Sequence, residues 1–270
     1  MFLVLPFVLL LHLRFLGTFP WLSVHIPIFA FPEEMVFVPA GDFILGSEDG
    51  RDDEKPVRRV YLDAFYIDRY EATNAEYVEF LNTIGGHHGR CEGYDCIDTQ
   101  DEDPDSHILY SFSRRGYVAE PGYGRHPVIK VSWYGAKAYC EHRGKRLPAE
   151  AEWEKAARGP EGLAYPWGNE FDINKANVDQ HVGDTTAVGS YGDGVSPYGA
   201  YDMAGNVWEW VADWYRAYGG SEHRSEFFGQ KYKVVRGGSW NHPPADARGA
   251  ARDIAHPARR VGVVGFRCAR

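Results

Sequence analysis

Residues 159–205 form a succession of Gly, Pro, Asn and Asp turns with little periodicity, yet the stretch carries Trp167, Tyr191, Tyr198 and Tyr201. Turn residues at that density interrupt any long helix or strand, and a disordered linker is poor in such rings. Together they predict an ordered fold made largely of loops, with aromatic side chains packed beneath them. The whole chain shares the bias, because 30 glycines, 8 tryptophans and 17 tyrosines in 270 residues argue against a helical bundle. That length suits a single domain with one sizeable core and room for a second, smaller one.

Short regular elements are legible between the loops. Residues 35–46, MVFVPAGDFILG, read as two alternating apolar runs around a Pro-Ala-Gly turn, the pattern of a strand pair. In VYLDAFYID, Val60, Leu62, Phe65 and Ile67 fit one half-buried strand with an irregularity. Thr73 and Glu76 form a capping box ahead of Tyr77, Phe80, Leu81 and Ile84 at helical spacing, and Gly85-Gly86 stops that helix. Residues 87–125 shift to Asp, Gly, Tyr and Ser and read as a long surface insertion held by Cys91 and Cys96. Ser132 caps a second helix that Gly144 ends. Pro148 suits the first turn of a third, AEAEWEKAAR, where Glu150, Glu152 and Glu154 favour the helix dipole. VWEWVADWY, KVVRGGSW and VGFRCAR close the chain as strand-like segments, and the tryptophans of VWEWVADWY belong to the core.

Charge and cysteines narrow the environment. The 38 acidic and 29 basic residues give a formal charge of −9 without a Lys/Arg stripe, which excludes nucleic acid as an expected partner. The carboxylate surplus is compatible with divalent cations or with a solvated acidic surface. Residues 1–32 are strongly apolar, and residues 2–11 have the length of a signal-peptide apolar region. A signal peptide or membrane anchor is expected there, with the domain over 33–270 and a secreted, periplasmic or membrane-anchored location. Pro6, Pro20 and Pro27 make the leader a poor straight membrane helix. Four cysteines in an exported chain suggest two disulfides. Cys91 and Cys96 can close a small loop, which leaves Cys140 for Cys268. His87, His88, Cys91 and Cys96 also offer zinc-ligand types, at a spacing more compressed than in zinc fingers, so a local disulfide is the expectation.

The segments FVPAGDFILGS, FYIDRYEATNAEYVEFL, HPVIKVSWYGAKAYCEHRGKRLPAEAEWEKAARG, YPWGN, YGAYDMAGNVWEWVADWY, VVRGGSW and GFRCAR, in order from about residue 36 to 270, resemble the formylglycine-generating-enzyme (sulfatase-modifying-factor) family. The resemblance implies an α+β, C-type-lectin-like fold with small antiparallel sheets, few helices and extensive ordered loops. It also implies structural calcium. One site would take the side chains of Asp202 and Glu209 with the carbonyls of Gly205 and Val207. A second would take Asn177, the Val178 carbonyl and Asp184, with Asp179 as the alternative acid. Hard cations want six to eight oxygens, and carboxylate-bearing loops supply them. Family members also join the segments that here hold Cys140 and Cys268.

In active members the RGGS segment is followed by two cysteines, five residues apart, that bind copper, and that site activates oxygen to convert a substrate cysteine to formylglycine. Here RGGSWNHPPADARGAAR places His242 and Ala247 at those positions. Copper(I) prefers thiolates, one imidazole does not replace two of them, and alanine has no donor. Copper and the family oxidation are therefore not expected, and no catalytic residue is assigned near Ser239 and Trp240. Ser239, His242 and Asp246 are the residue types of a hydrolytic triad but share one loop without a nucleophile elbow. The stretch 240–267 also resembles the lectin-fold variable proteins of diversity-generating retroelements. It would expose Asn241, His242, Asp246, Asp253, His256, Arg259 and Val261. The expected function is a calcium-stabilised protein that binds a peptide, protein or glycan through this C-terminal surface. The alternatives are a metal-dependent oxidase or oxygenase of the family using other ligands, and a retroelement-diversified binding protein.

Overall fold

The computed structural model describes residues 34–270, so the expected leader over 1–32 lies outside the described residues. The elements run β1 (Met35–Val38), β2 (Gly41–Leu45), β3 (Arg58–Leu62), β4 (Phe65–Asp68), α1 (Asn74–Ile84), β5 (Ile108–Ser111), β6 (Gly116–Ala119), α2 (Trp133–His142), α3 (Glu150–Arg158), β7 (Trp208–Trp214), β8 (Lys233–Arg236), β9 (Arg252–Ala255) and β10 (Val264–Gly265). One sheet has four strands in the order β10-β7-β8-β9, and β1-β4, β2-β3 and β5-β6 are two-stranded ribbons. This is the α+β architecture of small sheets and few helices that the resemblance implies, except that β10 lies parallel to β7 where antiparallel sheets are expected. None of the helices in the described residues is long and apolar enough to cross a membrane.

Local chemistry explains the helices. The Thr73 hydroxyl accepts from Glu76 N while the Glu76 carboxylate accepts from Thr73 N, and Gly85 ends α1 in the left-handed region at φ 74°. Ser132 caps α2 by accepting from Gly135 N at 3.0 Å. The third helix begins later than Pro148 predicts. The Pro148 carbonyl accepts from Ala212 N at 2.8 Å beside β7, so the chain turns helical only at Glu150. Glu152 then accepts from Ala149 N at 2.7 Å and serves as the cap.

Strand pairing corrects three other expectations. The two runs of residues 35–46 are strands but do not pair with each other; Val36 lies opposite Ile67 and Phe43 opposite Val60. Their partners come from VYLDAFYID, which breaks at the exposed Asp63 and Ala64 into β3 and β4 instead of forming one strand. The insertion contains a hairpin, β5-β6, in which only Ile108 is buried, so its burial leaves no clear alternation to read. Asn82 of α1 holds it, donating to Tyr117 O at 3.0 Å and accepting from Tyr117 N at 2.8 Å.

The β7-β8 pair is buried on both faces. Trp208, Trp210 and Val235 enter a core with Tyr77, Phe80, Tyr139 and Phe266, whereas Val211 and Val234 enter another with Trp153, Phe65 and Ile67. Residues 266–270 run along the first ribbon: Ala72 N donates to Phe266 O, Asp68 N to Cys268 O and Tyr66 N to Arg270 O at 2.8–2.9 Å. Cys140 of α2 is bonded to Cys268, 128 residues away, as both the cysteine pattern and the resemblance imply.

Glu150 and Glu154 do more than favour a helix dipole. Arg236, fully buried, donates to Glu150 at 3.1 Å and Glu154 at 2.5 Å, and also to the carbonyls of Gly249 and Ala250. Arg252 adds a fork to Glu150, Arg158 pairs with Glu154, and Gly46 N donates to Glu154. Burial pushes Glu150 up, but Arg252 and Arg236 pull it further down, below the ordinary carboxylate range. The unfolded chain therefore takes up that proton at higher pH, and the contribution of Glu150 is lost as pH falls through its folded value.

Removing one member of such a network leaves uncompensated buried charge. Arg236→Ala is expected to cost about 3–5 kcal/mol in urea unfolding; a loss within about 0.5 kcal/mol, as at ordinary surface sites, would show that the network is peripheral. Below roughly pH 4, near the usual glutamate value, the native protein should lose stability on acidification, and Glu150→Gln should flatten that slope in urea midpoints measured against pH.

Candidate functional site

The loop 201–207 is shaped by left-handed backbone. Asp202 (φ 57°), Gly205 (φ 84°) and Asn206 (φ 61°) turn it so that Asp202, Asn206 and Glu209 are all buried. A side chain at Gly205 would lie 2.3 Å from the Asn177 carbonyl, so only glycine lets this loop approach the 177 loop. Asn206 joins the two, donating from its backbone N to Asn177 O at 2.8 Å. Its side chain donates to Glu71 at 2.7 Å.

Three carboxylates, Glu71, Asp202 and Glu209, interact here with the guanidinium of Arg267, and Glu71 also with the other two carboxylates. Arg267 forks onto Glu209 with contacts of 2.7 Å, and Trp153 donates to the same carboxylate at 2.9 Å. Burial, then the charges of Asp202 and Glu209, hold Glu71 well above the ordinary carboxylate range. Burial pushes Asp202 up to about 6. Surplus buried negative charge on a turn that offers carbonyls suits a hard cation. Glu209 is chiefly the partner of Arg267, and Glu71 is the additional carboxylate. No periodicity marks Glu71; its only signal is a charge placed just before the α1 cap.

At the second expected site, Asn177 donates to the Asp184 carbonyl at 2.8 Å and its Oδ1 is buried without a hydrogen-bond partner. An orphaned buried oxygen is costly unless something occupies it, so Asn177 fits a cation ligand. The Val178 side chain is buried in a small apolar cluster. The Asp184 carboxylate is engaged elsewhere, accepting from Tyr123 Oη at 2.8 Å and from Thr185 N at 2.6 Å. Asp179, the alternative acid, is left-handed at φ 55°, and its N donates to the His242 carbonyl at 2.8 Å. Gln180 N similarly holds the Trp240 carbonyl at 2.7 Å.

Those two bonds fasten the second loop to the segment bearing the expected ligand surface. Within it His242 Nδ1 lies 2.6 Å from Ser239 Oγ, and the hydroxyl also meets Asn241 at 2.9 Å. Ser239 is fully buried, and Asp246 pairs with Arg51 at 3.0 Å, so no hydrolytic triad forms. Ala247 is also fully buried, packed with Ala176, Val178 and Ala204. Cys91–Cys96 and Cys140–Cys268 are both disulfides and no cysteine is free, so the thiolate set for copper is missing and the cysteines cannot serve zinc.

The surface residues do not converge on a single pocket. Trp240 and Asn241 border a cleft with His107, Glu120, Tyr123 and Asp184. Asp253 lines another with Arg51, Tyr215 and His223, and Arg51, His242 and Asp246 act on its charge. His256 and Arg259 are exposed beyond β9, where Arg259 N donates to the His256 carbonyl, and Val261 is half-buried. The backbone beneath is fixed by Arg236 at Gly249 and Ala250 and by Arg248, which forks onto Glu54 at 2.7–2.8 Å.

A family model described as the sulfatase-modifying factor enzyme 1-like domain matches residues 30–270. Serine/threonine-protein kinase Pkn1 of Chlamydia trachomatis serovar L2 is 41% identical over 249 residues, covering 88% of this chain; the match spans only 38% of that kinase. Inactive C-alpha-formylglycine-generating enzyme 2 of Bos taurus is 36% identical over 87% of both chains. The formylglycine-generating enzyme of the same species is 34% identical over 88% of this chain and 75% of its own. Among solved structures, PvdO from Pseudomonas aeruginosa superposes with a TM-score of 0.67 at 30% identity, over 87% of this chain and 93% of its own.

Thiol titration of the unreduced, denatured protein should find no free thiol among the four cysteines, and two should appear for each disulfide reduced. Any reactive thiol before reduction would reopen the question of a sulfur-bound metal.

Proposed function

This chain belongs to the sulfatase-modifying factor enzyme 1-like domain family, and from that membership we propose that it is a calcium-stabilised binding domain and not a copper oxidase. One observation carries the reading: the positions expected to hold copper thiolates are a histidine turned onto Ser239 and a buried alanine, and every cysteine is oxidised. What remains at that end of the molecule is a backbone pinned from below, with Asn241, His256 and Arg259 exposed, His242, Asp246 and Asp253 half-buried against the predicted exposure, and Asn241 and Asp253 lining two separate clefts. Such a surface suits a peptide, protein or glycan, because polar and charged side chains on a fixed backbone bind with little ordering cost. The chlamydial kinases are far longer than the matched part, which supports a recognition module that can accompany other domains. Two disulfides favour an oxidising compartment outside the cytoplasm, in keeping with the apolar leader.

Calcium is proposed at the Asp202 loop, with Glu71 and Glu209 supplying charge and Gly205 and Val207 carbonyls, and beside Asn177 with the Val178 carbonyl. There it would neutralise carboxylates that otherwise repel one another. The test is metal analysis of the purified protein, followed by oxygen uptake with a cysteine-containing sulfatase peptide. Calcium without copper, and no turnover, is the expected result; stoichiometric copper or iron with turnover would replace this reading with an oxidase. Calcium should also raise the melting temperature, and Asp202→Ala should remove most of that rise. An equal rise in the variant would separate calcium from this loop.

A further inference from the structure

We propose that His87, His88 and Glu102, in the insertion between α1 and β5, form a site for a divalent transition cation of the zinc class. One ligand atom from each residue lies within 4.8 Å of the others. His87 Nε2 is 3.1 Å from Glu102 Oε2, and His88 Nε2 is 3.4 Å from Glu102 Oε1. Each separation is near the distance between two ligand atoms of a tetrahedral zinc, about 3.3 Å for bonds near 2.0–2.1 Å, and they run to the two different oxygens of Glu102, either of which can ligate.

The outer contacts are those of a metal site as well. Each imidazole directs Nε2 inward and engages its other nitrogen: His87 Nδ1 meets Tyr117 Oη at 2.7 Å, and His88 Nδ1 meets Asp95 Oδ1 at 3.3 Å. A hydroxyl or carboxylate behind a ligating histidine fixes its ring and its tautomer. Glu102 is oriented by Thr99, whose N and Oγ1 donate to Oε2 at 2.7 and 3.1 Å. Asp95 is itself held by Gly89 N at 2.9 Å.

The fold brings these parts together from separate turns. The Cys91–Cys96 disulfide closes the loop after the two histidines, and Cys96 N donates to His87 O at 2.8 Å. The disulfide thus removes the sulfur ligands that the sequence suggests and positions nitrogen and oxygen ligands in their place. The His87 side chain is 9% exposed and that of His88 66%, so the site is walled on one side and open on the other. Three protein ligands with an open position leave room for water or for a donor from a bound partner.

The experiment titrates cobalt(II) chloride into the full chain in calcium-containing buffer, reads the visible d–d absorption, and competes the cobalt with zinc chloride. One equivalent of tetrahedral-type cobalt, displaced by zinc, is expected. His88→Ala and Glu102→Gln should each weaken it at least tenfold, roughly the factor that even outer partners contribute, while His181→Ala, at an exposed histidine outside the site, leaves it unchanged. His88 is exposed, so the metal-free melting temperature of that variant should match the parent. X-ray absorption of the zinc complex should show two imidazoles. No cobalt band, unchanged affinity in both variants, or a zinc shell without imidazole would overturn the proposal.

Discussion

The buried guanidinium of Arg236 is the point on which the rest of the molecule leans. It joins β8 to Glu150 and Glu154 of α3 and to the carbonyls of residues 249 and 250, while Gly46 N reaches the same Glu154 from the end of β2. In a fold whose ribbons have two strands, ladder hydrogen bonds satisfy few loop carbonyls. Cationic side chains take over that task. Lys155 donates to the carbonyls of Pro39 and Gly41, Lys233 to that of Ala212, and Arg267 to that of Tyr201. Buried ion pairs gain little over apolar packing of equal volume, but losing one partner leaves an uncompensated buried charge and is severe.

That division explains what was legible in the sequence. Helix α1 and the cap of α2 depend on neighbours three or four residues away, and both were readable from Thr73, Glu76 and Ser132. The partners of β1 and β2 lie beyond the charged loop, so the local pattern places the two strands but not their pairing. Strand β9, Arg252–Ala255, went unseen because Arg252 faces the buried carboxylates and resembles a surface residue in any hydropathy pattern. At the candidate site, Asp202, Asn177 and Glu209 could be placed through the family resemblance. Glu71 could not, because its role depends on Asn206, 135 residues later.

The candidate cation loops and the exposed segment share a mechanical base. Asn206 bonds the 201–207 loop to Asn177, and Asp179 and Gln180 bond the next residues to the carbonyls of His242 and Trp240. Whatever orders the buried carboxylates therefore also positions the backbone that carries the surface side chains. Asn241, His256 and Arg259 stand exposed on this scaffold, whereas His242 and Asp246 are tied into it through Ser239 and Arg51.

The path of residues 264–270 has a consequence for how the protein is made. Phe266, Arg267 and Cys268 are fully buried against elements synthesised some two hundred residues earlier, and their backbone lines the ribbon of β1 and β4. During synthesis neither that ribbon nor the carboxylates around Arg267 can reach their final partners until the last of these residues has left the ribosome. Contacts of such sequence separation also slow folding. A chain interrupted even a few residues short of Cys268 would therefore leave the edge of that ribbon uncovered and Cys140 unpaired.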